Sequence, residues 1–417
     1  MIFLLILFGN CQLKTRAWAR GETTDYGYDT LNQLTNVNYS ANDTPDVSYE
    51  YDRQGRQVEI VDGQGTHQFA YDTSTLALTN ETVIANGTTN SIARSYDDYG
   101  RSSGFAFGSY DLDYGFDSTG RFATLAATNG SVAVANVDYN YMAGSDLLAG
   151  TTNSVPGLGV SRSFETNRDL LTEIHNHAGG TTVSRFEYQN DALGRRTERL
   201  DTYSGVVTNS FAYNARSEVT NAVMGADSYA WDYDPIGNRE FFNDNGTAFD
   251  YLANQLNQYT NIANGVTLEP TYDDDGNMLG YDGWAYQWNG ENRLRVASDG
   301  STSVTNAYDY MGRRISKSVD GVETEFLYDG WNLVQETTGT NVTQYVWGLD
   351  LSQSLQGAGG VGGLLCVIEN GEEYYPAYDS NGNITEYVDD TGAVVAHYEY
   401  STADALGSYQ QKLLSIN

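Results

Sequence analysis

Polar and apolar residues alternate along short stretches of this chain, and each stretch ends in residues typical of a turn. Residues 57–60, Gln-Val-Glu-Ile, alternate in this way, which predicts a half-buried β-strand. Asp62 and Gly63 follow, a pair typical of hairpin turns. A second alternating run, residues 67–71, leads into the next Tyr-Asp pair. The pattern therefore predicts a unit of strand, Asp-Gly type turn, strand and Tyr-Asp type turn.

The Tyr-Asp turn has a recurrent phrase, Tyr-Asp-x-x-Gly-Arg. It stands at residues 51–56, with near-copies at residues 96–101, 116–121, 233–238 and 272–277. An aspartate at this position can accept a hydrogen bond from the backbone two residues later, and glycine supplies the positive φ that closes the turn. Tyrosine is a strand residue. We therefore predict that the aspartates and glycines of the phrase have structural roles.

The phrase recurs at a nearly fixed period. The spacings are 20, 25 and 20 residues in one series and 20, 18 and 21 in another, at Tyr51, Tyr71, Tyr96 and Phe116 and at Tyr213, Tyr233, Tyr251 and Tyr272. A fixed period of this size indicates a repeat architecture. The 33 tyrosines and 44 glycines among 417 residues are far from average usage and are the residues that the repeat requires.

These phrases resemble those of the RHS/YD-repeat family. Residues 345–352, Tyr-Val-Trp-Gly-Leu-Asp-Leu-Ser, and the following residues up to Gly363 resemble the RHS repeat-associated core, as do residues 375–383 and 395–400. The resemblance covers roughly residues 20–400. It implies an all-β fold in which antiparallel YD-repeat hairpins are wound into a spiral sheet that forms a shell or part of one. The alternative architecture is a β-propeller, whose blades have four strands.

The resemblance also predicts an organisation along the chain. Residues 1–20 are an apolar N-terminal segment, interpreted as a weak export signal or as a start that is not the natural one. Residues 21–344 carry the YD repeats, 345–400 are the RHS core-associated region, and 401–417 are a divergent C-terminal tail. Residues 146–187 are the least regular, and we expect a bulge or a longer excursion there, with a loop at residues 155–159. The tail permits a short helix at about residues 404–414.

Family members commonly continue past the core through an Asp-Pro-Phe-Gly-like turn into a segment with an aspartyl autoprotease site. Here residues 401–407 read Ser-Thr-Ala-Asp-Ala-Leu-Gly instead. The chain is therefore interpreted as a truncated or orphan member without the autoprotease segment and the effector. We carry over no catalytic, cofactor-binding or metal-ligating residue and predict no cofactor and no enzyme activity.

Charge and composition narrow the range of partners. The formal net charge is −33 and the isoelectric point about 4.1, which argues against nucleic acid, because its phosphates require a basic surface. Two cysteines, Cys11 and Cys366, provide no disulfide framework. The apolar run at residues 1–10 is too short to span a bilayer as a helix. We predict a chain that does not span a membrane.

Three motifs are candidates for small-ligand chemistry. Residues 357–362 fit G-x-G-x-x-G, but no βαβ pattern surrounds them, so we interpret them as a glycine-rich crossing that leaves the sheet. His175 and His177 should lie on one face of a strand, with Glu173 next on that face, an incomplete zinc set. Residues 273–277 and 379–383 superficially resemble calcium loops, yet both occupy the turn position of the repeat.

The function predicted from the sequence is a non-enzymatic YD-repeat scaffold, secreted or at the cell surface, that encloses, displays or adheres. It resembles the shell of polymorphic toxins or of adhesion proteins. The predicted partner is a protein cargo or a neighbouring chain at open sheet ends. The alternative is a carbohydrate-binding module for polysaccharide, with aromatic platforms at Trp231, Trp284, Trp288, Trp331 and Trp347. A third hypothesis, a hydrolase or lyase, requires acidic residues and histidine in one cleft.

Overall fold

The computed structural model describes residues 4–7, 12–85, 87–400 and 411–416. The secondary-structure elements in these ranges are β-strands, and the paired strands are antiparallel. The prediction of an all-β fold of antiparallel hairpins is confirmed. Within the same ranges there is no helix with the length and apolar character that crossing a membrane requires.

The chain divides into two compact units. Unit 1 consists of Met1–Leu112, Glu269–Asp329 and Glu336–Thr340, and unit 2 of Asp113–Leu268, Gly330–Gln335 and Asn341–Asn417. Each unit is therefore built from segments that are distant in sequence.

The strands of unit 1 come in two series. The first series is β1 (Leu4–Leu7), β2 (Leu13–Ala17), β3 (Thr23–Tyr28), β4 (Leu34–Tyr39), β5 (Val47–Tyr51), β6 (Gln57–Asp62), β7 (Gly65–Tyr71), β8 (Leu78–Ala85), β9 (Thr88–Tyr96) and β10 (Ser102–Phe107). Strand β11 (Tyr110–Phe116) contains a boundary between the units. Each strand from β1 to β10 pairs with its neighbour in the chain.

Unit 2 continues with the strands β12 (Phe122–Asn129), β13 (Val132–Tyr141), β14 (Leu148–Asn153), β15 (Leu158–Phe164), β16 (Leu171–Ala178), β17 (Thr181–Asn190), β18 (Arg196–Thr202), β19 (Val206–Tyr213), β20 (Val219–Met224), β21 (Asp227–Tyr233), β22 (Arg239–Asp244), β23 (Thr247–Ala253), β24 (Tyr259–Ala263) and β25 (Thr267–Leu268). These strands also pair in chain order.

The second series of unit 1 is β26 (Thr271–Tyr272), β27 (Met278–Tyr281), β28 (Trp284–Trp288), β29 (Leu294–Ser298), β30 (Ser303–Tyr308), β31 (Arg314–Val319) and β32 (Val322–Asp329). Strand β33 (Asn332–Thr338) contains another boundary between the units. Unit 2 ends with β34 (Asn341–Trp347), β35 (Leu364–Glu369), β36 (Glu372–Tyr378), β37 (Ile384–Val388), β38 (Val394–Tyr400) and β39 (Gln411–Ile416).

A β-bulge precedes many of the turn tyrosines. The pairing register shifts between Glu50 and Tyr51, between Ala70 and Tyr71, and again immediately before Tyr233. A bulge bends its strand and increases the local right-handed twist. Each Tyr-Asp turn therefore adds twist at the same place in the repeat.

The alternating positions of the strands form the core. In unit 1, Val37, Val47 and Ile60 are buried and pack against six partly buried residues, namely Tyr26, Leu34, Tyr39, Tyr49, Phe69 and Tyr310. In unit 2, the buried rings of Tyr229, Trp231 and Phe242 lie nearly parallel, with interplanar angles of 2° to 21°. The aromatic residues of the repeats thus fill the sheet face by stacking across strands.

Two Asn-Gly and Asp-Gly turns have the backbone that the sequence predicts. The φ angles are 50° at Asn245 and 90° at Gly246, and 50° at Asp320 and 86° at Gly321. Positive φ at both central residues defines the type I′ hairpin turn. Gly63 differs, because its φ lies outside the positive region and a Cβ there would meet Pro45 Cγ at 2.1 Å. At Gly63, close approach of another segment requires the glycine.

Several expectations from the sequence need correction. The predicted loop at residues 155–159 is shorter, because β15 begins at Leu158 and pairs with both neighbours in order, so residues 146–187 contain no long excursion. The pairing register does shift between Ser163 and Phe164 and between Asn176 and His177, so the expected bulge is present. The predicted helix at about 404–414 falls partly outside the described residues, and its last part lies in strand β39 (Gln411–Ile416). Of the N-terminal apolar segment, Leu4–Leu7 is strand β1, paired with β2. Residues 1–3, 8–11 and Asn86 lie outside the described residues.

Candidate functional site

The aspartate of each turn phrase holds the turn closed. Asp52 Oδ1 accepts the backbone N–H groups of Gln54 (2.8 Å) and Arg56 (3.0 Å), and Oδ2 accepts Arg56 Nε at 2.7 Å. These hydrogen bonds, led by that of the Arg56 N–H, keep the pKa of Asp52 below its ordinary value. Gly55 has a φ of 82°. The same contacts are made by Asp97, Asp117, Asp191 and Asp309.

The arginine and tyrosine of the phrase join one repeat to the next. The Arg56 guanidinium lies 4.2 Å from the ring centre of Tyr71, whose hydroxyl donates to the Gln57 carbonyl at 2.8 Å. In unit 2, Arg121 lies 4.4 Å from the ring centre of Tyr141. Cation–π contact and charge-assisted hydrogen bonding therefore stabilise each repeat junction. The sequence indicates the turn, but the arginine's contact with the following tyrosine was not predicted.

The two segments that resemble calcium loops are turns of this kind. Asp273 accepts the backbone N–H groups of Asp275 and Asn277 and the Asn277 side-chain amide, at 2.8 to 3.0 Å. Asp379 accepts the equivalent three donors from Asn381 and Asn383, at 2.9 to 3.0 Å. The oxygens of both aspartates are engaged inside the turn, which explains the pattern without a cation.

The glycine-rich segment at residues 357–362 lies between β34 and β35, outside the sheet, as the sequence indicates. The buried Asp350 organises it. Asp350 Oδ2 accepts the N–H of Ala358 at 2.6 Å and that of Gly360 at 3.3 Å, while Oδ1 accepts Ser352 N–H at 2.9 Å. These bonds lower the pKa of Asp350, although burial opposes the shift. A carboxylate of the chain itself thus occupies the amides that a phosphate would need.

The structure places His175 and His177 on one strand face, as predicted. Their ring centres are 5.3 Å apart, and burial followed by the neighbouring His177 lowers the pKa of His175. Glu173 Oε2 is paired with Arg185 Nε at 3.1 Å. In the described part of the chain, no group of three or more His, Cys, Asp or Glu residues has a metal-binding arrangement. The zinc set predicted as incomplete is not completed by these residues.

The tryptophans of the predicted aromatic platform do not have the shared exposure that a sugar-stacking face needs. Trp331 is 55% exposed, whereas Trp231 is buried and the other tryptophans of the set are partly buried. Trp288 Nε1 donates to the Met278 carbonyl at 2.7 Å, and Trp347 Nε1 donates to the Leu333 carbonyl at 2.6 Å. These two rings pack and hydrogen-bond within their own units.

Unit 2 contains a cleft of about 440 Å³ that several charged residues line. In its wall, the fully buried Glu386 accepts Thr385 Oγ1 at 2.8 Å on one oxygen and lies 2.9 Å from His397 Nδ1 with the other. Tyr203 stacks flat on His397 with ring centres 3.8 Å apart. His397 Nε2 lies 3.8 Å from Glu399. Acidic residues and a histidine therefore do meet in one cleft.

An ion-pair group also lines this cleft. Arg199 Nη2 donates to Asp201 Oδ2 at 2.7 Å, Asn209 Nδ2 donates to the same oxygen at 2.8 Å, and Arg199 Nη1 lies 3.6 Å from Asp379 Oδ2. Burial raises the pKa of Asp201. In the described ranges, no serine, threonine or cysteine forms a hydrogen bond with His397. The arrangement therefore provides a buried Glu–His pair without the nucleophile that hydrolysis by a triad needs.

A second, smaller pocket of about 110 Å³ lies in unit 2 between the β13–β16 strands and residues 349–380. Its walls are mainly apolar, and Arg162 of β15 lines it. Tyr139, also in the wall, accepts the Leu349 N–H at 3.3 Å through its hydroxyl. Sequence reasoning did not identify Arg162, Glu386 and Arg199. Their pockets include residues from distant parts of the chain, such as Leu349 in the pocket of Arg162 and Asp379 near Arg199. His397 and Asp379 lay in segments already singled out, residues 395–400 and 375–383.

Comparisons with known proteins agree with this fold. A family model described as Teneurin YD-shell matches residues 158–407. A tRNA3(Ser)-specific nuclease WapA of Bacillus spizizenii is 32% identical over 187 residues, and a tRNA nuclease WapA of Bacillus subtilis strain 168 is 30% identical over 187 residues. Each alignment covers 42% of this chain but only 7% of the nuclease.

Solved structures extend the fold likeness to nearly the whole chain. A crystal structure of TcdB2-TccC3-Cdc42 shares the fold with a TM-score of 0.78 and 11% identity, and the Photorhabdus luminescens Tc holotoxin pore with 0.76 and 12%. Both cover 96% of this chain, which spans about a quarter of each of those chains. The prediction of a shell-type YD-repeat fold, rather than a propeller, is confirmed at the level of the fold.

Proposed function

Because this chain belongs to the Teneurin YD-shell family, we propose that it is a non-enzymatic scaffold whose wound sheet encloses a polypeptide cargo. The observation that carries the proposal is the fold shared with TcdB2-TccC3 over 96% of the chain. Those solved structures are of assemblies of several proteins, one of them with Cdc42. A sheet of this type is well suited to surrounding a partner, since its repeats contact mainly their neighbours.

The polar residues of the repeats support a structural role. The conspicuous aspartates and arginines bind to each other and to the backbone inside the turns. Neutralised in pairs, these charges stabilise the repeats. A net charge of −33 then leaves an acidic chain that repels nucleic acid. The nuclease activity named for the WapA relatives belongs to proteins of which this chain matches 7%.

The proposal also includes the predicted location of the protein and the predicted division of the chain. We place the scaffold outside the cell or at the cell surface, as the family resemblance suggests, and retain the division into residues 1–20, 21–344, 345–400 and 401–417. A polysaccharide partner is the weaker alternative, because Trp331 is the one tryptophan in the described ranges with a mostly exposed ring.

A protease-protection experiment tests the enclosure. A short unstructured peptide with a specific protease site is appended to the N-terminus in one fusion and to the C-terminus in another. The proposal predicts that at least one of the two sites resists cleavage in the folded fusion and becomes sensitive when the same fusion is unfolded in urea. Rapid cleavage of both sites in the folded proteins, at the rate seen in urea, would contradict enclosure.

A further inference from the structure

Arg162 lies in a mainly apolar pocket, and none of the described residues forms an ion pair with it. It lies on β15 and lines the 110 Å³ pocket together with Leu158, Leu171, Leu349 and Leu351. Its Nη1 atom is buried and makes no hydrogen bond to any described residue. The residue as a whole keeps part of its surface exposed.

The acidic residue that lines the same pocket already has hydrogen-bond partners. Asp379 also lines the pocket, but its oxygens accept hydrogen bonds from Asn381 and Asn383 and lie near Arg199. Burial lowers the pKa of Arg162, although an arginine remains charged at neutral pH. The chain has 55 acidic and 22 basic residues, yet none of the described carboxylates pairs with this guanidinium. Burying an unpaired charge costs folding free energy.

The pocket offers a second donor. The Tyr139 hydroxyl accepts the Leu349 N–H, and among the described residues its own proton has no acceptor. Burial raises the pKa of Tyr139, so the hydroxyl keeps its proton at neutral pH. The planar guanidinium of arginine can donate two parallel hydrogen bonds to a carboxylate. The leucine side chains of the pocket favour an apolar group on the ligand.

We propose that this pocket binds a carboxylate carried on a small apolar body. The carboxylate pairs with Arg162, and the apolar body contacts the leucines. The same chemistry occurs in the C-terminal residue of a polypeptide that ends in leucine and in a free branched carboxylic acid. The proposal rests on Arg162 and its pocket alone, so it stands or fails independently of the enclosure of a cargo.

The test measures binding to the full chain by calorimetry. The probes are 4-methylpentanoate and its uncharged amide, and a short peptide ending in leucine with a free or an amidated C-terminus. We expect at least one carboxylate probe to bind, with both amides at least roughly tenfold weaker, because loss of one charged contact of about 1.4 kcal/mol changes affinity tenfold. Binding of the acid alone identifies a free acid as the source, and binding of the peptide alone a chain end. Failure of both carboxylates, or equal binding of the amides, overturns the proposal.

Two variants separate binding from folding. Arg162→Met should abolish carboxylate binding and leave the melting temperature of the ligand-free chain unchanged or higher, since an unpaired charge is removed. Arg185→Met, which breaks a more exposed ion pair of the neighbouring strands with Glu173, is the matched control and should bind normally. If Arg162→Met lowers the melting temperature or fails to fold, Arg162 has a structural partner and the proposal is overturned.

Discussion

Arg313 Nε donates to Asp309 Oδ2 across 2.7 Å, with the two side chains only 4% and 0% exposed. The same pair, in the same turn phrase, is formed by Arg101 and Asp97, where the side chains are 35% and 22% exposed. One local motif therefore recurs in two environments. The strength of each copy should follow its burial, because water and salt screen the exposed pair.

Replacing the buried arginine tests this relationship. Arg313→Ala leaves the Asp309 carboxylate buried without its cation, and we expect a loss of about 3–5 kcal/mol in the free energy of unfolding. Arg101→Ala, the matched control at the exposed copy, should cause a clearly smaller loss. Urea denaturation of both variants measures the difference. Equal losses in the two variants would show that the pair does not depend on burial.

Gly63 tests the role of close approach in the hairpin turns. A Cβ at residue 63 would meet Pro45 Cγ at 2.1 Å, whereas one at Gly205 would meet nothing within 4 Å, and neither glycine has a positive φ. Gly63→Ala should cost about 1–3 kcal/mol through overpacking. Gly205→Ala should be neutral or stabilise by up to about 1 kcal/mol, since it restricts the unfolded chain. Thermal unfolding distinguishes them, and a stable Gly63→Ala variant would refute the proposed contact.

Two partly buried tyrosines predict alkaline sensitivity. Burial raises the pKa of Tyr49 to about 12 and that of Tyr400 to about 12, while the unfolded chain titrates near about 10. Above the unfolded pKa the unfolded state loses these protons first. The contribution of these tyrosines to stability should therefore be constant below about pH 10 and fall as the pH rises toward 12.

Two tyrosine variants test whether partly buried rings cause this alkaline loss of stability. Tyr49→Phe should make the fall in unfolding free energy above about pH 10 shallower, whereas Tyr99→Phe, at a ring that is 85% exposed, should leave it unchanged. Urea denaturation at a series of pH values, with tyrosinate absorbance recorded in parallel, gives the comparison. A slope that is the same in Tyr49→Phe as in the parent chain would contradict the assignment.

The Glu386–His397 pair should contribute to stability. His397→Leu removes the partner of a fully buried carboxylate oxygen, and we expect a loss of about 2–3 kcal/mol in unfolding free energy. His175→Leu removes only a hydrogen bond near the surface, to Thr182, and should cost less than about 1 kcal/mol. Chemical denaturation of the two variants tests this. If His397→Leu is as stable as His175→Leu, the pair does not stabilise the fold.

The sequence was sufficient for the local structure because that structure depends on neighbours in the chain. The φ of Gly55 and the hydrogen bonds of Asp52 involve residues within four positions, and the alternation of residues 57–60 appears directly as strand β6. The same holds for the reinterpretation of the calcium-like segments as turns, since their oxygens are used within each phrase.

The clefts of unit 2 could not be predicted in this way. Arg199 meets Asp379, and Tyr139 meets Leu349, across separations that no periodicity encodes. Arg162 stands in a strand that the sequence assigned partly to a loop, so its direction could not be inferred. The glycine at position 63 was expected to supply a turn conformation, whereas the structure requires it because of Pro45, in the connection between β4 and β5.

Small-angle X-ray scattering of the purified chain tests the proposed enclosure, in which the sheet winds around an internal space. A compact solid domain of 417 residues would have a radius of gyration of about 22 Å. Enclosure predicts a monomer with a larger radius of gyration and with a pair-distance distribution shifted to longer distances, as a hollow body gives. A monomer at about 22 Å with the symmetrical distribution of a solid particle would contradict it.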